Sequence, residues 1–297
     1  MMLAAMQTFV DTLILGISAG TLDAVLALGI VLIYRTTGVL NFALAAIGTF
    51  AAYVIYSVAQ GRPLWVALVA GLAVGAALGA TTYLVVRGIH ARHYALAAAV
   101  ATLAVAILLD QAVRQGWGIV GASFPNPFPL SPIKVGEYSI PYQSAAAVVC
   151  AAAIAVLSGA ALRWTRVGTM VRAISDDPQA AQVFGGNVAV LVAGVWALAG
   201  AFAAVAGFFA AQQVSFEPVF LEPIFVGALI AAVIGGLRSL NAAFGAAILL
   251  EVARSLYNLY APDTISPYAQ TFLLILLIAV LVLAPRRWLA QNEGRTV

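Results

Sequence analysis

The chain has 297 residues, of which 64% are hydrophobic and 8% charged, with a formal net charge of +3. Soluble domains carry roughly a quarter charged residues, so a water-covered globule is excluded. Apolar runs of about 20 residues recur along the chain as bilayer-crossing helices do, and they are too long and too rich in Ala, Leu and Val for barrel strands.

Hydrocarbon offers backbone polar groups no partner, so each span must satisfy its own. The expected fold class is therefore all-α, a polytopic helical membrane protein. The first span is expected from about Asp11 to Tyr34, with Asp23 near its middle. No basic residue precedes Arg35, so this run is expected to be retained rather than cleaved as a signal peptide. Arg35-Thr-Thr-Gly38 breaks it, and a weaker run follows from Val39 to about Ser57. A third extends from Leu64 to Val86 and a fourth from Tyr94 to about Ala112, with the basic loop of His90, Arg92 and His93 between them.

Residues Arg114 to Pro141 include Pro125, Pro127, Pro129, Pro132 and Pro141, which forbid a long regular helix. A fifth span covers Tyr142 to Leu162, and a polar stretch follows from Arg163 to Asn187. A sixth runs from Val188 to Ala211, then a short run from Pro223 to Leu237 closes on Gly235-Gly236. The last two extend from Ala242 to about Tyr260 and from Tyr268 to Ala284. Eight or nine transmembrane segments result, according to whether 223–237 crosses or re-enters.

Orientation follows from the excess of basic residues in cytoplasmic loops. With the amino terminus outside and the carboxyl terminus cytoplasmic, Arg35, Arg87, Arg92, Arg163, Arg166, Arg172, Arg238, Arg286, Arg287 and Arg295 fall inside. Only Arg62, Arg114, Lys134 and Arg254 then fall outside or near the outer face. The reverse orientation inverts that ratio.

Asp23 is the costliest residue, because a carboxylate at mid-span costs about 2.5–3.5 kcal/mol on insertion scales. It must face the bundle interior, a watery cavity or a neutral partner. Two readings stand: a translocation-pathway residue, or a hydrogen-bonded packing contact. Thr37, Asn41 and Phe42 belong to the break after the first span. Gly38 permits an irregular backbone there, and Thr37 and Asn41 can bond the freed backbone groups. Such a break is either buried at membrane depth, lining a pathway, or a tight cytoplasmic turn.

Gly71, Gly75 and Gly79 recur every fourth residue and form a small face for close helix packing. Glu251 with Arg254, and Asp110 with Arg114, have the spacing of helical ion pairs. His90 and His93 lack nearby Cys or paired carboxylates, so no metal site is expected. No nucleophile–base cluster and no phosphate-binding G-x-x-x-x-G-K-[ST] loop is present. An intramembrane enzyme therefore has no catalytic constellation to draw on, and an ATP-driven role requires partner subunits.

In the polar stretch, Asp177 can cap a short helix whose first residue is Pro178. Gly185 can end it in the left-handed conformation, with Ala180, Ala181 and Phe184 facing outward. Such an apolar knob suits a groove on another protein; the alternative is an interfacial helix lying on lipid.

Three segments carry a resemblance: Ala27-Leu-Gly-Ile-Val-Leu-Ile-Tyr-Arg-Thr-Thr-Gly-Val-Leu-Asn-Phe-Ala43, Gly168 through Gly185, and Val233 through Ala246. Together they resemble LivH-like permeases of the branched-chain amino-acid ABC importer family. The resemblance implies one transmembrane permease domain over residues 1–297, set in a bacterial inner membrane. It implies pairing with a homologous second permease or with itself, two cytoplasmic ATPases that bind ATP and Mg, and a periplasmic or lipid-anchored solute-binding protein. This chain would bind no cofactor and no nucleic acid.

By the same resemblance, Gly168, Arg172, Ala173, Ala180, Ala181 and Gly185 belong to the ATPase-coupling loop 163–187, with Asp177 and Phe184 in its short helix. Where the family usually follows Asn-Phe-Ala with a polar residue and glycine, this chain has Leu44 and Ala45. The solute therefore stays open among branched-chain or other small amino acids, urea, short amides and other small solutes. A stand-alone proton-coupled carrier using Asp23 is the reading from another class.

Overall fold

A computed structural model describes residues 2–90, 95–118, 121, 123–129, 131–136, 138–177, 181–182, 187–262 and 264–283. Its helices are α1 (Met2–Thr37), α2 (Leu44–Ala59), α3 (Leu64–His90), α4 (Ala95–Trp117) and α5 (Tyr142–Trp164). They continue as α6 (Arg166–Asp176), α7 (Val188–Ala210), α8 (Glu222–Ile234), α9 (Leu240–Tyr260) and α10 (Ala269–Leu283). Among the described residues, six helices are long and apolar enough to cross a membrane, in α1, α3, α4, α5, α7 and α9. The chain is an all-α polytopic membrane protein.

The sole departure from helix among the described elements is a hairpin, Ile133–Val135 (β1) against Tyr138–Ile140 (β2), with Lys134 opposite Ser139. It lies in the proline-rich loop, where β-branched residues flank a turn that Gly136 opens at φ 64°. Around it the loop packs aromatic on aromatic. Tyr53 of α2 stacks on Phe216 at 4.2 Å, Phe124 meets Phe208 and Phe216 edge-on, and the Trp117 indole donates to Ser57 Oγ at 2.6 Å. These rings close one end of the bundle.

The core runs along α1, which packs on α5, α7, α8 and α9. Lipid tails are as apolar as leucine, so hydrophobicity does not drive spans together; close backbone approach does. At Gly20 an added methyl carbon would lie 2.7 Å from Ile248 Cα of α9. The face of Gly71, Gly75 and Gly79 is used as its spacing predicts. Gly75 would meet the Gly200 carbonyl at 2.5 Å, and Gly79 stands directly over the Trp196 carbonyl, both on α7. Gly71 sits against Ile55 of α2.

α1 ends where Gly38 adopts φ 69° and its N–H bonds the Tyr34 carbonyl at 2.7 Å, as a C-terminal glycine cap does. The following span begins at Leu44 rather than at Val39, because Val39 to Ala43 is not helical. Leu44 nevertheless packs against Gly29 of α1. Gly29 lies eight residues before Thr37, about 12 Å back along the helix. The chain thus turns at Gly38 and runs back beside α1 before α2 starts.

Candidate functional site

Asp23 sits inside the bundle and is 2% exposed. Its carboxylate lies directly against Gly227 of α8, where even a methyl group would collide with Oδ2. That oxygen has no hydrogen-bond partner among the described residues. On α9, Glu251 is also buried, and its Cβ packs beside Gly20, one turn before Asp23. Glu251 Oε1 accepts from Arg254 Nη1 at 3.0 Å, so the expected ion pair forms. Two carboxylates and one guanidinium therefore share the α1–α8–α9 interface. Of the expected surroundings for Asp23, the bundle interior is the one observed.

The break after α1 is buried in protein. Val39, Asn41 and Ala43 are each at most 2% exposed, so the turn is packed within the chain. Thr37 Oγ1 donates to the Ile33 carbonyl at 2.8 Å and accepts the Val39 N–H at 3.3 Å. Asn41 Oδ1 accepts the Ala43 N–H at 3.0 Å, while its buried Nδ2 lacks a partner among the described residues. The Phe42 N–H is satisfied from across the bundle, by Thr102 Oγ1 of α4 at 3.0 Å. Thr102 lies seven residues into α4, about 10 Å from its first residue, so the break meets α4 two turns inside that helix.

α8 joins these features. The Phe225 ring meets Phe42 edge-on at 6.3 Å, and Gly227, two residues on, meets Asp23. The structure brings Asp23 and Phe42 to one short helix, while Thr37 stays about 21 Å along α1 from Asp23. Thr102 and Gly227 were missed by sequence reasoning. A lone threonine or glycine in an apolar run carries no periodic signal, although each is a polar or small residue in a helix that otherwise packs with larger ones.

The polar stretch holds an amphipathic helix ahead of the one expected. α6 starts at the N-cap Thr165, whose Oγ1 accepts the Gly168 N–H at 2.9 Å, and it buries Gly168, Val171 and Ile174. Those residues recur every third position on one face. Gly168 abuts the Ala161 carbonyl and leaves no space for a side chain; an added methyl carbon would sit 2.5 Å from Leu162 Cα. The turn from α5 into α6 requires glycine there. α6 contacts α1, α5 and α7, so it rests across the ends of three spans.

Arg172 is half-buried and its Nη2 donates to Thr169 Oγ1 at 3.3 Å. Ala173 is half-buried against the core. Asp177 is extended, and its carbonyl accepts the Ala181 N–H at 3.0 Å. Ala181 corrects the expectation that it faces outward: it is 2% exposed, packed inside the chain. A small residue near the end of a span suits a close internal contact as well as an external one, and here the internal contact forms. Pro178, Ala180, Phe184 and Gly185, named for the short helix, lie outside the described residues.

Comparison with known proteins places these elements in context. The family model described as branched-chain amino acid transport system / permease component matches residues 12–281. The probable branched-chain amino acid transport permease protein LivH of Methanocaldococcus jannaschii is 27% identical over 291 residues, spanning 88% of this chain and 86% of that protein. The high-affinity branched-chain amino acid transport system permease protein LivH of Escherichia coli K12 is 24% identical over 312 residues, spanning 97% and 98%. The protein of the same description from Salmonella typhimurium is 25% identical over 309 residues, with the same coverage. No solved structure matches.

Proposed function

Because the chain belongs to the branched-chain amino acid transport system permease family, we propose that it is the membrane permease subunit of an ATP-driven importer for branched-chain or other small amino acids. The observation that carries this reading is the family match across residues 12–281, which takes in nearly every described helix. The full-length likeness to proteins described as high-affinity branched-chain amino acid permeases supports the choice of solute. Urea, short amides or another small solute is the alternative within the same architecture.

In this proposal the chain is one domain of eight or nine spans in a bacterial inner membrane, with the amino terminus outside and the carboxyl terminus cytoplasmic. It pairs with a homologous permease or a second copy of itself. Two ATPase subunits hold ATP and Mg, and a periplasmic or lipid-anchored binding protein delivers solute. The loop 163–187 receives the ATPase. α6 is suited to pass motion on, because it rests on α1, α5 and α7 at once.

Within the coupling set, Arg172 and the exposed side of α6 make the contact. Gly168 and Ala181 act by holding the loop to the spans. ATP binding to the partners favours one arrangement of the spans by its differential affinity for the two states. The α8 contacts with Asp23 and Phe42 are the internal seam that this rearrangement would shift, which keeps Asp23, Thr37, Asn41 and Phe42 as pathway candidates.

The experiment is uptake of radiolabelled leucine by cells expressing the whole transport system, with and without the ATPase subunits, together with co-purification on this chain. Stoichiometric ATPases and loss of uptake without them are expected. Uptake by the lone chain in liposomes, abolished by Asp23→Asn, would instead establish the proton-coupled carrier.

A further inference from the structure

One groove lies apart from the Asp23 and Phe42 contacts and meets the proposed coupling loop only at its first two residues, Arg163 and Trp164. It has a volume of about 400 Å³ and lies between α1, α5 and α9. Its floor and walls are apolar: Leu28 of α1, Gly159 of α5 and Phe244 of α9. One end is different, carrying Arg163, Trp164 and Asn241. Arg163 and Trp164 close α5, and Asn241 is the second residue of α9, so all three lie at the limit of their spans. Arg163 is exposed and forms no ion pair among the described residues, whose two salt bridges are Arg114–Asp110 and Arg254–Glu251.

The trench is graded along its length. From Val156 to Trp164 it follows α5 for eight residues, about 12 Å, from an apolar floor to a cation. Trp164 is 83% exposed, and an indole at the end of a span sits at headgroup level. A guanidinium presents planar paired donors that suit phosphate, and Asn241 adds a neutral donor and acceptor. Gly159 keeps the trench open, since a Cβ there would meet nothing within 4 Å. This glycine is no packing contact, unlike Gly20 of α1, Gly79 of α3 and Gly200 of α7.

We infer that the α1–α5–α9 groove binds an anionic phospholipid, with one acyl chain along Leu28, Gly159 and Phe244 and its phosphate on Arg163. The occupant is committed by charge and grading together. A helix of a partner protein would fill the apolar trench but would need a carboxylate of its own placed against Arg163, whereas a lipid phosphate brings that charge at headgroup level. A zwitterionic lipid would satisfy the trench but bring a competing cation. The site neither needs nor tests the transported solute.

The test uses the full chain purified with its co-expressed partner subunits in detergent, titrated with phosphatidylglycerol or phosphatidylcholine brominated on the acyl chains. Bromine quenches nearby indole fluorescence, and the Trp164 component is obtained by subtracting the Trp164→Phe variant. Phosphatidylglycerol should reach half-maximal quenching at a concentration about fivefold lower than phosphatidylcholine, the preference expected for one basic residue at a membrane surface. Arg163→Ala should remove that preference, Arg163→Lys should keep most of it, and Gly159→Leu should weaken quenching by both lipids by filling the trench.

Equal quenching by the two lipids in the unaltered protein overturns the proposal. So does a preference that survives Arg163→Ala, and so does the absence of Trp164 quenching by either lipid, which would mean that protein covers the groove. Should Gly159→Leu prevent assembly, the comparison of Arg163→Ala with Arg163→Lys still decides.

Discussion

α1 and α5 are both long apolar spans, yet 78% of the most apolar window of α1 is buried inside the chain against 17% for α5. Hydropathy reports only that each helix tolerates a membrane. What separates them is the small and polar residues. α1 places Gly16, Gly20 and Gly29 against neighbouring helices and buries Ser18, Thr21 and Asp23. α5 has Gly159 facing open space, with Val156 and Leu157 exposed. In a bilayer the interior of a protein is marked by close backbone approach and by the polar groups that lipid would reject.

The largest effect should come from a glycine in a seam set against one on the rim. Gly79→Leu drives a side chain into the Trp196 carbonyl of α7; a loss of 3 kcal/mol or more, roughly, is expected from such overpacking. It should appear as aggregated protein on size exclusion in detergent. Gly159→Leu should elute as the unaltered chain does and gain slightly from helix propensity, by under about 1 kcal/mol. Equal damage by both substitutions would erase the distinction between the two helices.

A second, smaller effect concerns Asp23. Gly227→Ala pushes a methyl group into the Asp23 carboxylate and should cost about 1–3 kcal/mol in thermal stability. Asp23→Ala removes the obstacle, so the double variant should show coupling of at least about 0.5 kcal/mol relative to the sum of the singles. Additive losses would mean that the two residues do not meet. Smallest is Thr102→Val, which leaves the Phe42 N–H without its acceptor and should cost about 1–2 kcal/mol. Thr102→Ser, which keeps the hydroxyl, should restore most of it.

The same contrast explains what the sequence made legible. The positions of the six long apolar helices, the Gly71–Gly75–Gly79 face and the ion pairs of Glu251–Arg254 and Asp110–Arg114 were readable, because each follows from composition or spacing along one helix. The break at Gly38 was readable as a break, but its burial was not, since burial depends on how Leu44 returns to Gly29 and how Thr102 receives Phe42. α6 was hidden by its polar composition, although Thr165 and the spacing of Gly168, Val171 and Ile174 were in plain view. Ala181 was assigned to the wrong face because alanine is too small for its type to say which neighbour it meets.

In the proposed function, motion enters this chain through α6 and leaves it as transport. The most direct measurement is ATP-dependent leucine uptake by proteoliposomes holding the assembled system, comparing the unaltered chain with Arg172→Glu. The variant is expected to assemble with its ATPases in normal stoichiometry and to continue hydrolysing ATP, while uptake falls to background. Uptake at the unaltered rate with Arg172→Glu, or leucine uptake that needs no ATPase subunit, would contradict it.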